Sequence, residues 1–190
     1  MPQKSVYLAG PEVFLANARE ILDIKIALTR AAGLIPVSPG DLAFPKTGSA
    51  WDLGLAISRI DEQLMNSADA IIATLTPFRG IAADTGTCFE LGYMCAQGKA
   101  AFAYTNVSAD NGERTRSFYA GEVTRDSEGV ERGPDGIMIE TMGFADNLML
   151  HGGVLNRGGV VVVGDAAGDG LYTDMEAFKS VLALAAIKLR

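Results

Sequence analysis

The chain has 190 residues, 48% hydrophobic and 21% charged, with a formal net charge of −7. That length fits one domain, 1–190, burying roughly 70% of its unfolded surface, and no apolar run approaches the roughly 20 residues of a membrane span. The acidic balance leaves no basic stripe to displace counterions from nucleic acid, so the expected partner is a small molecule.

Met1 to Ser5 pass straight into a strand-like segment without the apolar stretch of a secretory leader, so a cytoplasmic protein is expected. Val6–Ala9 reads as the first strand, closed by Gly10-Pro11 and followed by a helical pattern from Leu15 to Ala32. Leu34–Val37 is a second strand, and a Pro- and Gly-rich loop leads to a helix over Ala50–Asn66. The continuous apolar run Ala70–Leu75 predicts a strand covered on both faces. A helix over Thr87–Gln97, stopped by Gly98, and a strand over Ala100–Tyr104 come next. Asn111–Gly136 shows no helical periodicity. Phe118–Thr124 and Ile137–Glu140 read there as short strands around the turn Asp126–Gly129, an excursion near a site. A short helix over Phe144–Leu150, a strand over Val160–Val163 and a helix over Met175–Leu189 close the pattern.

This alternation predicts an α/β fold: an open, mostly parallel five-stranded sheet with helices on both faces, flavodoxin- or Rossmann-like, with an extra loop or hairpin excursion. Ligands of such sheets bind beyond the carboxyl ends of the strands, where Gly10-Pro11, Pro77–Gly86 and Thr105-Asn106 fall. Cys88 and Cys95, seven apart on one helix, lie roughly 10 Å apart, too far for a disulfide, and read as reduced and buried.

Asp84 and Glu90 stand six apart across a turn that opens a helix. One carboxylate as nucleophile and one as proton donor is what cleavage of a glycosidic bond requires. A structural role competes, because Thr87-Cys88-Phe89-Glu90 matches a capping box, as do Ser49–Asp52 and Thr173–Glu176. Tyr7, Asp69 and Asp84 add polar groups near the first and third strands. Asp69 fits least, being at the amino end of its strand, and a turn or capping role is equally open to it. The helix N-terminus should keep Glu90 charged, and crowding or burial should raise the Asp84 carboxyl.

Tyr7-Leu8-Ala9-Gly10-Pro11-Glu12-Val13-Phe14, Pro77-Phe78-Arg79-Gly80, Asp84-Thr85-Gly86-Thr87-Cys88-Phe89-Glu90-Leu91-Gly92 and Gly143–Leu150 resemble, in order, the signature segments of nucleoside 2-deoxyribosyltransferases. The resemblance runs over nearly the whole chain, and Asn111–Gly136 and Gly152–Gly170 look longer than the family's usual connections. It implies double displacement without a cofactor: Glu90 attacks the anomeric carbon of a 2′-deoxynucleoside, and a second base takes the sugar with retention. Asp84, with Asp69, would bind and protonate the leaving base, and Tyr7 would orient Glu90. Asp146 and Asn147 would reach the sugar 5′-hydroxyl in a neighbouring subunit's site, implying a homo-oligomer, dimer or hexamer. Phe14, Trp51, Phe78 and Arg79 are candidate walls around the base, and Gly10, Gly80 and Gly86 are candidate substrate-binding positions.

A deoxynucleotide hydrolase of the same fold is the nearest alternative, but it must hold a 5′-phosphate. After the first strand, Pro11 lacks an amide donor and Glu12 would repel phosphate. A non-catalytic nucleotide-binding module is a third reading on fold grounds. His151, the one histidine, has no partner cluster for a metal and suits a surface or capping role.

Overall fold

The computed structural model describes residues 2–39, 48–166 and 168–190; most of the expected Pro- and Gly-rich loop lies outside them. In chain order the elements begin with β1 (Ser5–Ala9), a 3-10 turn (Pro11–Phe14), α1 (Ala18–Ala31), β2 (Ile35–Val37), α2 (Ala50–Ser67) and β3 (Ala70–Thr74). Then follow α3 (Thr85–Ala96), β4 (Ala100–Thr105), α4 (Asn111–Phe118), β5 (Thr124–Arg125) and β6 (Glu131–Arg132). The chain closes with α5 (Leu148–Leu155), β7 (Val161–Val163), a 3-10 turn (Gly168–Tyr172) and α6 (Glu176–Lys188).

Five strands pair in the order β2-β1-β3-β4-β7, every pair parallel. Side chains of a strand alternate between faces, so the sheet carries two cores. Val6, Leu8, Ile72 and Phe102 meet α1 and α6 through Ile21, Ile26, Phe178 and Val181. Tyr7, Ala9, Ile71 and Ala73 meet α2, α3 and α5 through Met65, Leu91, Met94 and Val154. Full burial of each large apolar side chain contributes about 1.5–3 kcal/mol, and β3, buried along its whole length, is the central strand its apolar run predicts. The same alternation points Tyr7 at α3. The strand order reverses between β1 and β3, and the gap at their carboxyl ends is the natural ligand site.

The main departures lie in the excursion. Asn111–Phe118 is a helix, opened by a reciprocal capping box between Asp110 and Glu113. It has no apolar stripe to announce it: Gly112 and Arg114 are its buried residues, and capping and one anchored arginine replace hydrophobic packing. The antiparallel pair is β5 with β6, joined by the expected turn, where Gly129 N donates to Asp126 O at 3.0 Å. Ile137–Glu140 contributes only a bridge from Met138 to Arg132. The first helix starts at Ala18 because Pro11 fixes a separate turn before it. Among the described residues no helix is long and apolar enough to cross a membrane.

Candidate active site

A cavity of about 590 Å³ opens at the β1/β3 reversal, with Gly10, Phe14, Ile57, Asp61, Asp84 and Glu90 among its walls. Its size suits a small ligand of drug-like dimensions.

Glu90 enters this cavity because the capping box expected of Thr87 and Glu90 does not form. Asp84 is the N-cap of α3, and its carboxylate accepts from Thr87 N at 3.0 Å and from Thr87 Oγ1 at 3.2 Å. The N-cap therefore lies three residues earlier than the capping box placed it, at Asp84 and not Thr87, the helix begins at Thr85, and Glu90 moves from the third to the sixth helical position. There it is past the free amides and bonds across to the sheet: Tyr7 donates its hydroxyl to Glu90 Oε1 at 2.6 Å. The helix terminus was expected to keep Glu90 charged, and the structure reverses this. Dipole effects fade within the first turn, and burial, offset in part by the Tyr7 hydrogen bond, pushes the Glu90 carboxyl up to about 7, with Asp61, Asp84 and Glu12 adding charge repulsion. Desolvation, reinforced by Glu90, drives the Tyr7 hydroxyl far above its ordinary range, so it stays a donor.

Asp69 does not reach the cavity. It sits at the amino end of β3, exposed, accepting from Lys4 Nζ at 2.8 Å and from Ser5 N and Oγ at 2.9 Å, and the Lys4 hydrogen bond chiefly holds its carboxyl down at about 2. The second acid beside Asp84 is instead Asp61 of α2, a residue the sequence reading passed over. Burial raises its carboxyl above the ordinary range. Its Oδ1 is buried without a hydrogen-bond partner among the described residues, an unmet acceptor on a residue of the cavity wall. A signal was present: Ile57, Ile60 and Leu64 mark the inward stripe of α2, and Asp61 interrupts it at the same helical spacing.

Phe14 walls the cavity and stacks on Phe78, centroids 5.5 Å apart. The Arg79 guanidinium lies over both rings, at 5.2 and 4.7 Å, and Arg79 adopts a left-handed backbone, φ 53°, at a cost of about 1–2 kcal/mol. Phe78 and Arg79 thus act behind Phe14. Tyr172 braces them from the far side, edge-on to Phe78 and donating its hydroxyl to Pro77 O. Gly10 and Gly86 line the cavity; Gly80 and Trp51 do not, and Trp51 is 75% exposed. Glu12, read as a charge repelling phosphate, is buried and paired with Lys25, so that reason for disfavouring a phosphorylated substrate falls.

Asp146 and Asn147 are both outside this chain's cavity. Asp146 is fully buried, pairing with Arg114 Nη2 at 3.1 Å and accepting from Ala83 N at 3.0 Å. A buried carboxylate so engaged does not extend to a neighbouring subunit; it holds the Ile81–Ala83 segment, to which Arg114 Nε also donates through Ile81 O at 2.7 Å, just ahead of Asp84. Asn147 is exposed, capping α5 through Met149 N at 3.0 Å and donating to Glu140 at 2.8 Å. His151 lies within α5, its Nδ1 accepting from Ala145 N at 3.0 Å, stacked on Phe144. Cys95 is buried as expected, whereas Cys88 is only half-buried; burial raises both thiols, Cys88 to about 11. Among the described residues no three His, Cys, Asp or Glu side chains gather to hold a metal ion.

Residues 6–149 match the family described as Nucleoside 2-deoxyribosyltransferase. The chain is 31% identical over 188 residues to an uncharacterized protein of Schizosaccharomyces pombe, covering 93% of this chain and 86% of that one. It superposes on a 2-desoxiribosyltransferase from Leishmania mexicana with a TM-score of 0.58 at 31% identity, over 78% of this chain and 85% of the other. A conserved protein from Enterococcus faecalis V583 shares the fold alone, with a TM-score of 0.60 at 16% identity over 97% and 99% of the two chains. The chain belongs to the nucleoside 2-deoxyribosyltransferase family. Family and site together support chemistry at the N-glycosidic bond of nucleosides.

Proposed function

We propose that this protein transfers 2-deoxyribose between nucleobases by double displacement on Glu90. The carrying observation is the Glu90 carboxylate, freed from helix capping, oriented by Tyr7 at 2.6 Å and sharing one cavity with Asp61 and Asp84. Glu90 attacks C1′ of a bound 2′-deoxynucleoside; the C1′–O bond forms as the C1′–N bond breaks, and the electron pair leaves on the base nitrogen. Asp61, whose carboxyl burial raises above its ordinary value, supplies the proton to the departing base, while Asp84 accepts a hydrogen bond from it. An incoming base reverses these steps at the glycosyl ester, so configuration is retained. Phe14, backed by Phe78 and Arg79, forms the apolar wall for the base.

Incubation of deoxyinosine with adenine, followed by chromatography, tests this reading. New deoxyadenosine is expected. Free deoxyribose with any base would make the protein a hydrolase, and no turnover would leave a binding module. Glu90→Ala should abolish exchange in a folded protein, and mass analysis of the wild type with substrate should show one deoxyribosyl unit on the intact chain, located to the Glu90 peptide after digestion. Exchange retained by Glu90→Ala removes Glu90 from the nucleophile role.

A further inference from the structure

Behind the cavity lies a buried polar cluster that the chemistry does not use. Glu12 of the 3-10 turn is 2% exposed, and its Oε1 accepts from Lys25 Nζ of α1, from Thr74 Oγ1 at the end of β3 at 2.9 Å, and from the Tyr104 hydroxyl of β4 at 3.1 Å. Lys25, equally buried, also donates to Thr74 Oγ1 at 3.2 Å and lies over the rings of Tyr104 and Phe178, at 5.3 and 5.2 Å. Three elements thus converge on one carboxylate oxygen of the 3-10 turn.

A buried ion pair is a poor source of stability, because desolvation offsets most of the attraction and apolar replacements are often as stable. What this pair does provide is a fixed point. The other Glu12 oxygen folds back over Gly10, where a Cβ would lie 1.9 Å from Oε2 and 2.6 Å from Thr74 Oγ1. Gly10 has φ 170°, an extended value open to any residue, so space and not conformation demands glycine there. Gly10 and Phe14, two residues to either side of Glu12, both wall the cavity. A 3-10 turn of four residues has no cooperative stability of its own.

We propose that Glu12, clamped by Lys25, Thr74 and Tyr104, is a positioning residue that sets Gly10 and Phe14 against the substrate beside Glu90. This rests on the deoxyribosyl-transfer reading for its kinetic consequence. The charged and titratable groups acting on Glu90 are Tyr7 of β1, Asp61 of α2, Asp84 ahead of α3 and Glu12.

The test is the double variant Glu12→Gln with Lys25→Met, which removes both charges and keeps the volumes. It should fold, exchange amide hydrogens of residues 10–18 at least tenfold faster than wild type with β3 and β4 unchanged, and raise KM for the deoxynucleoside at least tenfold. A folded double variant whose exchange in 10–18 and KM both stay within twofold of wild type overturns the proposal. If the double variant does not fold, Glu12→Asp, which keeps the charge but shortens the reach, is read the same way; if neither folds, the cluster serves global stability and the proposal fails. Hydrogen exchange needs no turnover, so a wild-type protein that transfers no sugar sinks the transfer reading while amide exchange still decides the positioning role.

Discussion

Replacing Tyr7 by Phe removes one hydroxyl from a fully buried ring and leaves the β1 packing intact. Its hydrogen bond to Glu90 Oε1, 2.6 Å long, favours the ionised carboxylate against the burial that raises it to about 7. A hydrogen bond to a charged group contributes about 1.5–3 kcal/mol, which corresponds to about one to two pH units at about 1.4 kcal/mol each. Its loss pushes the Glu90 carboxyl up by that amount. At pH 7 the ionised fraction then falls from about one half to between about one tenth and one hundredth, so kcat/KM drops roughly five- to fifty-fold. The assay is the deoxyinosine–adenine exchange followed across pH, because the acid limb of kcat/KM reports the free enzyme, and that limb should move upward with the carboxyl. A Tyr7→Phe protein with its acid limb unmoved and a rate at pH 7 within twofold of wild type would refute the link between the hydroxyl, the ionisation of Glu90 and turnover.

The Glu90 carboxyl stands above its unfolded value of 4.5, at about 7, so the native state binds its proton more tightly, and stability is lost as pH rises between those values. Glu90→Gln should therefore melt higher than wild type at pH 8, by no more than about 3 kcal/mol, with the gain vanishing near pH 4; equal melting at both pH values would contradict the burial of a charge there. Asp61→Asn should stay folded, because no partner is lost from its Oδ1, yet slow exchange by about 10²- to 10⁴-fold as a missing general acid does; wild-type turnover would assign proton donation elsewhere. Arg114→Met strands the buried Asp146 carboxylate and should cost about 3–5 kcal/mol, read by thermal or urea melting, and a melt like the wild type would deny that pair its bracing role. Asp69→Asn, on the opposite edge of the sheet, should leave exchange unaltered, and a large fall in kcat would return Asp69 to the site.

The alternation of apolar runs with helical patterns already contained the sheet, its parallel sense and the edge at which the cavity opens, because period-2 and period-3.6 burial is written residue by residue. The signature segments likewise contained the family, and they singled out Phe14, Asp84 and Glu90, which the fold brings to one cavity, and Tyr7, which bonds to Glu90. Local periodicity is silent about α4, whose polar surface is held by caps and by Arg114. Only tertiary structure decided which acids face one another. Asp69 is nearer than Asp61 to the central strand in sequence, but strand direction carries it to the far edge, while nearly two turns of α2 bring Asp61 over the cavity. Only packing decided that Asp84 caps α3 and so frees Glu90, that Asp146 and Glu12 are buried partners of Arg114 and Lys25, and that Glu90 is pushed toward neutrality. Each of these depends on desolvation and on neighbours far away in the chain, and a linear sequence specifies such distances only once the whole fold has closed around them.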